Sequence, residues 1–182
     1  MNRIVFLAAF LAAAAVPLSV VAAPAGPQVA IVTSAGTIDV VLDPVHAPVT
    51  TKNFLDLVDH KFYDGGTFFR AVPGFMIQGG NKARETPHDK MIPLETPLKT
   101  GVKNLDGSIA MARTSDPNSA TSEFFIDDGD QAMLDGAPGQ PGYAAFGRVT
   151  KNMDAVRKIA RQPAAGEMLL APIKIISIRR LP

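Results

Sequence analysis

Helical periodicity appears at two places in this chain, and they lie far apart. Val49 to His60 carries Phe54, Leu57 and Val58 in i, i+3, i+4 register, and Met153 to Arg161 carries Met153, Val156 and Ala160 on one side. Pro48 sits where a first helical turn tolerates proline, and Asn152 can cap the second helix. The rest reads as short apolar runs bounded by Gly, Pro, Asp and Asn. Val29–Thr33 and Thr37–Leu42 flank a Ser34-Ala35-Gly36 turn, and Ile38, Val40 and Leu42 share a face. Thr67–Ala71 and Phe75–Gln78 flank Pro73-Gly74. Gly107–Ala112, Glu123–Ile126, Tyr143–Val149 and Pro172–Arg180 complete the set, the last with Ile173, Ile175 and Ile178. No strand-helix-strand repeat supports a parallel sheet. The expected class is mainly β: a closed antiparallel barrel of about eight strands with two α-helices over its open ends. Asn81 to Asn104, mostly polar with three prolines, should be an irregular surface segment.

The first residues read as processing signal, not fold. Arg3 supplies a positive charge, Ile4 to Val16 is an unbroken apolar run, Pro17 breaks it, and small residues follow to Ala23. That order is a secretory leader, and the run is short against the ~20 residues of a membrane span. Residues 1–22 are expected to be cleaved, with Ala25 as the alternative end; an uncleaved N-terminal anchor is the competing reading. Residues 23–27 form a short lead-in, and 28–182 form one domain. About 160 residues can bury an ordinary core. The chain has no Cys, which excludes disulfides and thiolate chemistry, and its net charge of +1 argues against nucleic acid as the partner. Together these favour an exported protein, periplasmic or secreted, with no stable membrane insertion after cleavage; a monomer is expected.

The chemistry concentrates in Phe68 to Gly80, where Arg70 is the only charge. A lone Arg in an apolar run either buries a costly ion or aims it at something. If Phe75 to Gln78 is extended, Phe75 and Ile77 face one side and Met76 and Gln78 the other. An apolar floor beside a hydrogen-bonding fork suits a small apolar group between peptide carbonyls, such as a proline within a chain.

Phe68-Phe69-Arg70-Ala71-Val72-Pro73-Gly74-Phe75-Met76-Ile77-Gln78-Gly79-Gly80 resembles the signature of the cyclophilins, a family of peptidyl-prolyl cis-trans isomerases. Two more blocks follow in the family's order. One is Gly107 to Arg113 continuing through Ser119 to Ile126; the other is Met133-Leu134-Asp135-Gly136 followed by Tyr143 to Val149. The resemblance implies an eight-stranded barrel capped by two helices, no cofactor, and a rotamase activity with a chaperone-like role in folding exported proteins. Implied partners are Pro-containing peptides and unfolded exported proteins. It carries Arg70 over as the catalytic position. Phe75, Met76, Gln78, Ala112, Arg113, Glu123, Phe125, Met133, Leu134 and Tyr143 carry over as substrate-binding positions. The chain departs from the pattern at Glu123, where many members have Gln, at Met133, where many animal members have Trp, and at Phe69, where many have His. Tyr143 replaces a His of animal members.

An X-Pro amide resists rotation with a barrier of ~18–20 kcal/mol. Favouring the twisted amide over both planar forms accelerates rotation without a covalent step. The twisted proline nitrogen gains a lone pair, and a guanidinium can donate to it while staying charged. That role falls to Arg70, with Phe75, Met76, Phe125 and Leu134 holding the ring. Gln78 and the backbone of Ala112-Arg113 would hold the flanking peptide.

Blander roles compete. Arg70 could be a structural ion-pair partner, Gln78 a satisfied core amide, and the apolar residues plain core. Arg113 reads more readily as a rim charge than a catalyst. Glu123 could be a surface acid or an Arg113 partner, and Tyr143 a core aromatic. His46, His60 and His88 lack metal-ligand spacing, and no phosphate loop or G-x-S-x-G site appears. A binding module that grips Pro-containing segments without useful turnover is the alternative of a different class.

Overall fold

The structure, a computed structural model, describes residues 26–82 and 90–182. The expected leader over 1–22, residues 23–25 of the lead-in and His88 lie outside the described residues. Among the described residues nine strands form in chain order: β1 (Gln28–Thr33), β2 (Gly36–Leu42), β3 (Thr67–Val72), β4 (Met76–Gly80), β5 (Ser108–Met111), β6 (Phe124–Asp127), β7 (Ala145–Lys151), β8 (Ala164–Ala165) and β9 (Met168–Arg180). All pairings are antiparallel, in the order β1-β2-β7-β5-β6-β4-β3-β9, and β9 pairs back to β1. Eight strands therefore close a barrel, and β8 is a short flap on β9.

The two long helices are α1 (Pro48–Asp59) and α3 (Met153–Ala160). β2 ends at Leu42, opposite Gly147 near the start of β7, and β7 ends at Lys151, opposite Asp39. The helices that follow these strands thus leave from opposite ends of one ladder. Phe54, Leu57 and Val58 of α1 and Val156 and Ile159 of α3 enter the same interior cluster as Ile31, Ile38 and Val40. Rings dominate that interior: Phe54 meets Phe124 edge-on at 5.5 Å, and Phe68 meets Phe124 edge-on at 5.6 Å. Each such side chain contributes ~1.5–3 kcal/mol on burial.

Three expectations need correction. A third helix, the single turn α2 (Pro97–Thr100), joins the two expected ones. It belongs to the segment expected to be irregular surface, yet Ile92 bridges Ala120 and Asn104 is fully buried. The segment also supplies a cap. Ala47 offers α1 no side-chain acceptor, and Glu95 accepts from Val49 N–H at 3.0 Å and Thr50 N–H at 2.8 Å. A carboxylate there satisfies orphan donors and meets the positive end of the helix dipole. Last, the final strand begins at Met168 instead of Pro172, because β8 pairs with Met168 and Leu169.

Two bulges set which residues face inward. On β9, Val32 pairs with Ser177 but Thr33 with Ile175, so Ile176 is extra; Ile175 and Ile178 both point in despite their odd spacing. On β3, Phe68 pairs with Gly79 but Arg70 with Gln78. Phe68 and Ala71 are both in the interior cluster, three positions apart. Strict alternation would have sent Arg70 inward after Phe68; the bulge at Phe69 turns it to the outer face. Gly79 makes room there, since a Cβ would sit 2.8 Å from both Phe68 Cδ1 and Thr67 O.

Candidate active site

A second, smaller apolar cluster lies on the outer face of the barrel: Met76, Ala110, Phe125, Leu134 and Ala145, with Phe75, Ala112 and Tyr143 packed against it. It floors a cleft of about 120 Å³. That is well below the ~300–1,000 Å³ of pockets that enclose drug-sized ligands, and suits one residue-sized group. Met76, Gln78 and Phe125 reach it from β4 and β6 because they alternate with Ile77, Phe124 and Ile126, which point into the barrel. Phe75 breaks the expected alternation. It belongs to the turn before β4, where Phe75 N–H donates to Val72 O at 3.0 Å and Gly74 has φ 74. That type II geometry puts Phe75 on the cleft side together with Met76 instead of opposite it. Leu134 comes from a 3-10 turn (Ala132–Leu134), and its carbonyl accepts from Tyr143 N–H at 2.9 Å, tying the two loop residues together.

Arg70 lines one side of this cleft, with its side chain 32% exposed. Its Nε donates to Glu167 Oε2 at 2.7 Å, its Nη2 lies 2.7 Å from the same oxygen, and its Nη1 donates to Gln78 Oε1 at 2.9 Å. Gln78 Nε2 in turn donates to Glu123 Oε2 at 2.8 Å, and Lys82 Nζ lies 3.8 Å from Glu123 Oε1. Lys82 also sits 3.9 Å from the centre of the Phe69 ring, the position where the family pattern has His. The amide of Gln78 is thus engaged at both ends. The remaining Nη protons of Arg70 have no other protein acceptor among the described residues.

Arg113 lines the opposite side and is used differently. Nε and Nη2 donate to Gly142 O at 3.0 and 2.8 Å, Nη1 donates to Thr114 O at 2.8 Å, and the guanidinium lies 4.4 Å over the Tyr143 ring. Its partners are carbonyls, not Glu123. Tyr143 is half-buried, edge-on to Phe125 at 5.6 Å. Ala112 lines the cleft, but its N–H donates to Glu123 O at 2.9 Å, so it cannot donate to a bound peptide. The Arg113 N–H has no hydrogen-bond partner among the described residues.

Nine of the eleven expected site residues therefore meet in one cleft. Glu123 and Met133 do not line it. Glu123 borders an adjoining polar groove with Lys82, Ser119 and Thr121. Met133 is 76% exposed in a neighbouring hollow with Gly136 and Gln140. Sequence reading missed Glu167, which lies 97 positions from Arg70. The available signal was Gly166-Glu167 between short apolar runs, a two-residue hairpin pattern.

The barrel and its cleft have clear relatives. Residues 28–180 match the family model described as "Cyclophilin type peptidyl-prolyl cis-trans isomerase/CLD". Peptidyl-prolyl cis-trans isomerase A of Dickeya dadantii is 44% identical over 141 residues, covering 77% of this chain and 74% of the relative. A peptidyl-prolyl cis-trans isomerase of Acinetobacter baylyi is 40% identical over 153 residues, covering 81% of each. Among solved structures, a Cryptosporidium parvum cyclophilin type isomerase, determined in the presence of the dipeptide Ala-Pro, has a TM-score of 0.74 at 25% identity. The match covers 85% of this chain and 99% of that one.

Proposed function

The chain belongs to the cyclophilin-type peptidyl-prolyl cis-trans isomerases, and from that premise we propose that Arg70 is the residue that accelerates rotation about X-Pro bonds bound in its cleft. The observation that carries this reading is the placement of one guanidinium, with open Nη protons, at the edge of a residue-sized apolar cleft. The Ala-Pro dipeptide present with the Cryptosporidium parvum relative supports a proline-containing peptide as the occupant here.

The proline ring enters against Phe75, Met76, Phe125 and Leu134, with Tyr143 closing the far side. Ring contact fixes the residue after the rotating amide bond and leaves the preceding carbonyl free to swing. As the amide twists, its nitrogen becomes pyramidal and Arg70 donates to the emerging lone pair. That bond exists only in the twisted state, so it lowers the barrier without tightening either planar form. The guanidinium remains charged at every step, and no proton is transferred. Arg113 N–H and the second Nε2 proton of Gln78 orient the flanking peptide groups.

Export completes the proposal. The order of charge, apolar run and small residues over 1–22 supports a cleaved leader, and the clients are then unfolded exported proteins, with a periplasmic site of action. Among the described residues no helix is long and apolar enough to cross a membrane.

The test is a proline-isomerisation assay on a short Ala-Pro peptide with wild type and Arg70→Ala, beside a binding titration. The variant should lose about 10²–10³ in kcat/KM while still binding the peptide. Turnover within about twofold of wild type in a folded Arg70→Ala protein would sink the assignment. Binding without acceleration by the wild type would make it a peptide-gripping module instead.

A further inference from the structure

A guanidinium that must meet a transient lone pair needs one orientation, and Arg70 carries it on a long, rotatable stem. Glu167 supplies a constraint. It occupies the second position of the two-residue turn between β8 and β9, where Ala165 pairs with Met168 and Gly166 has φ 61. Glycine with positive φ at the first central position marks a type II′ connection, whose twist matches its strands. The turn is also pinned to β3, since Glu167 O accepts from Ala71 N–H at 2.9 Å. The carboxylate is therefore delivered beside Arg70 by a main-chain bond to the very next residue.

The carboxylate takes the Nε and Nη2 side of the guanidinium, and Gln78 takes Nη1. The Glu167 side chain is 56% exposed, so the pair adds little to the stability of the barrel. Its consequence lies in orientation. The twisted amide develops a lone pair but no net charge, so aiming a donor matters more than adding positive potential. Partial neutralisation by the carboxylate is correspondingly a small loss.

We infer that Glu167 is a positioning residue, holding the Arg70 guanidinium side-on so that its open edge stays aimed into the cleft. This rests on the assignment of Arg70 above. It makes the β8–β9 turn, which lines no part of the cleft, part of the machinery.

The experiment measures kcat and KM separately for wild type, Arg70→Ala, Glu167→Ala, Glu167→Gln and the double alanine variant. Glu167→Ala should lower kcat by about five- to twentyfold with KM within about twofold, because alignment acts on the twisted state. Glu167→Gln keeps an oxygen for the Nε edge and should recover most of that loss. In the Arg70→Ala background, Glu167→Ala should change kcat by less than about twofold. The Arg70 Nε–H resonance, resolved in wild type and in Glu167→Gln, should broaden or shift on Glu167→Ala. If Arg70→Ala is slow but Glu167→Ala turns over like wild type, positioning by Glu167 is overturned and the Arg70 assignment stands. A Glu167→Ala loss that persists undiminished without Arg70 overturns it as well. If Arg70→Ala keeps wild-type turnover, the Arg70 assignment itself fails and Glu167 falls with it.

Discussion

Each wall of the cleft presents an arginine, and the two are used in opposite ways. On the strand wall, Arg70 is held by side chains, Glu167 and Gln78, and keeps Nη protons without a protein acceptor among the described residues at the edge of the cleft. On the loop wall, Arg113 gives Nε, Nη1 and Nη2 to the carbonyls of Gly142 and Thr114 and lies over Tyr143. One cation is presented; the other braces the loop that carries Tyr143. What separates a group able to address substrate from a structural one is therefore not charge, burial or distance from the cleft. It is which donors are left open. The foundations differ too. The strand wall backs onto the ringed interior of Phe68 and Phe124. The loop wall rises from Asp127, fully buried at the end of β6 with no hydrogen-bond partner for either carboxyl oxygen among the described residues. Asn104, which braces the same wall through Asp135, has an unpartnered Oδ1.

The largest effect that could sharpen this contrast comes from that foundation. Burial, and then the charges of Asp135 and Asp106, push the Asp127 carboxyl up from 3.8 to about 8. A group whose folded pKa is raised contributes stability below its unfolded pKa and loses it as pH rises towards the folded value. The loss therefore runs from about pH 4 to about pH 8 and then levels off, reaching up to about 4 kcal/mol by pH 7. Asp127→Asn removes this titration but leaves a buried amide, so a net gain of about 2 kcal/mol at pH 7 is expected, vanishing near pH 4. Denaturant unfolding at several pH values checks it. Equal pH dependence in wild type and variant would mean that Asp127 finds a partner.

A smaller effect tests the loop-wall arginine. Arg113→Ala should raise KM by about three- to tenfold, through loss of the Tyr143 brace, and leave kcat within about twofold. A fall in kcat comparable to that of Arg70→Ala would abolish the distinction between the walls. The smallest effect concerns Glu123, which touches the strand-wall network from its polar side. Glu123→Gln keeps an acceptor for Gln78 and removes the charge facing Lys82, so turnover should stay within about twofold. Its preference between acidic and basic peptides should shift. An unchanged preference across a charged peptide series would place Glu123 outside recognition.

Much of this molecule was legible because its signals are local. Phe54, Leu57 and Val58 repeat at helical spacing, and the Pro73-Gly74 turn carries its own φ requirement. The motif blocks brought nine cleft residues together before any geometry was known. What stayed hidden depends on pairing between distant segments. Strand alternation cannot reveal the Phe69 bulge, because the extra residue is defined only against β4 and β9. Gly166-Glu167 marks a turn, but no local pattern says where that turn docks, and Glu167 meets Arg70 only once β8 folds onto β9. Glu95 capping α1 is likewise a tertiary event with no local cue.

The central claim is that Arg70 acts on the rotating bond itself and Arg113 does not. NMR exchange spectroscopy on a saturating Ala-Pro peptide measures cis-trans rotation on the protein, apart from binding. In Arg70→Ala the on-protein rotation rate should fall at least about 100-fold with the peptide still bound, and in Arg113→Ala it should stay within about twofold. An on-protein rate preserved in Arg70→Ala, or lost equally in both variants, would contradict the account.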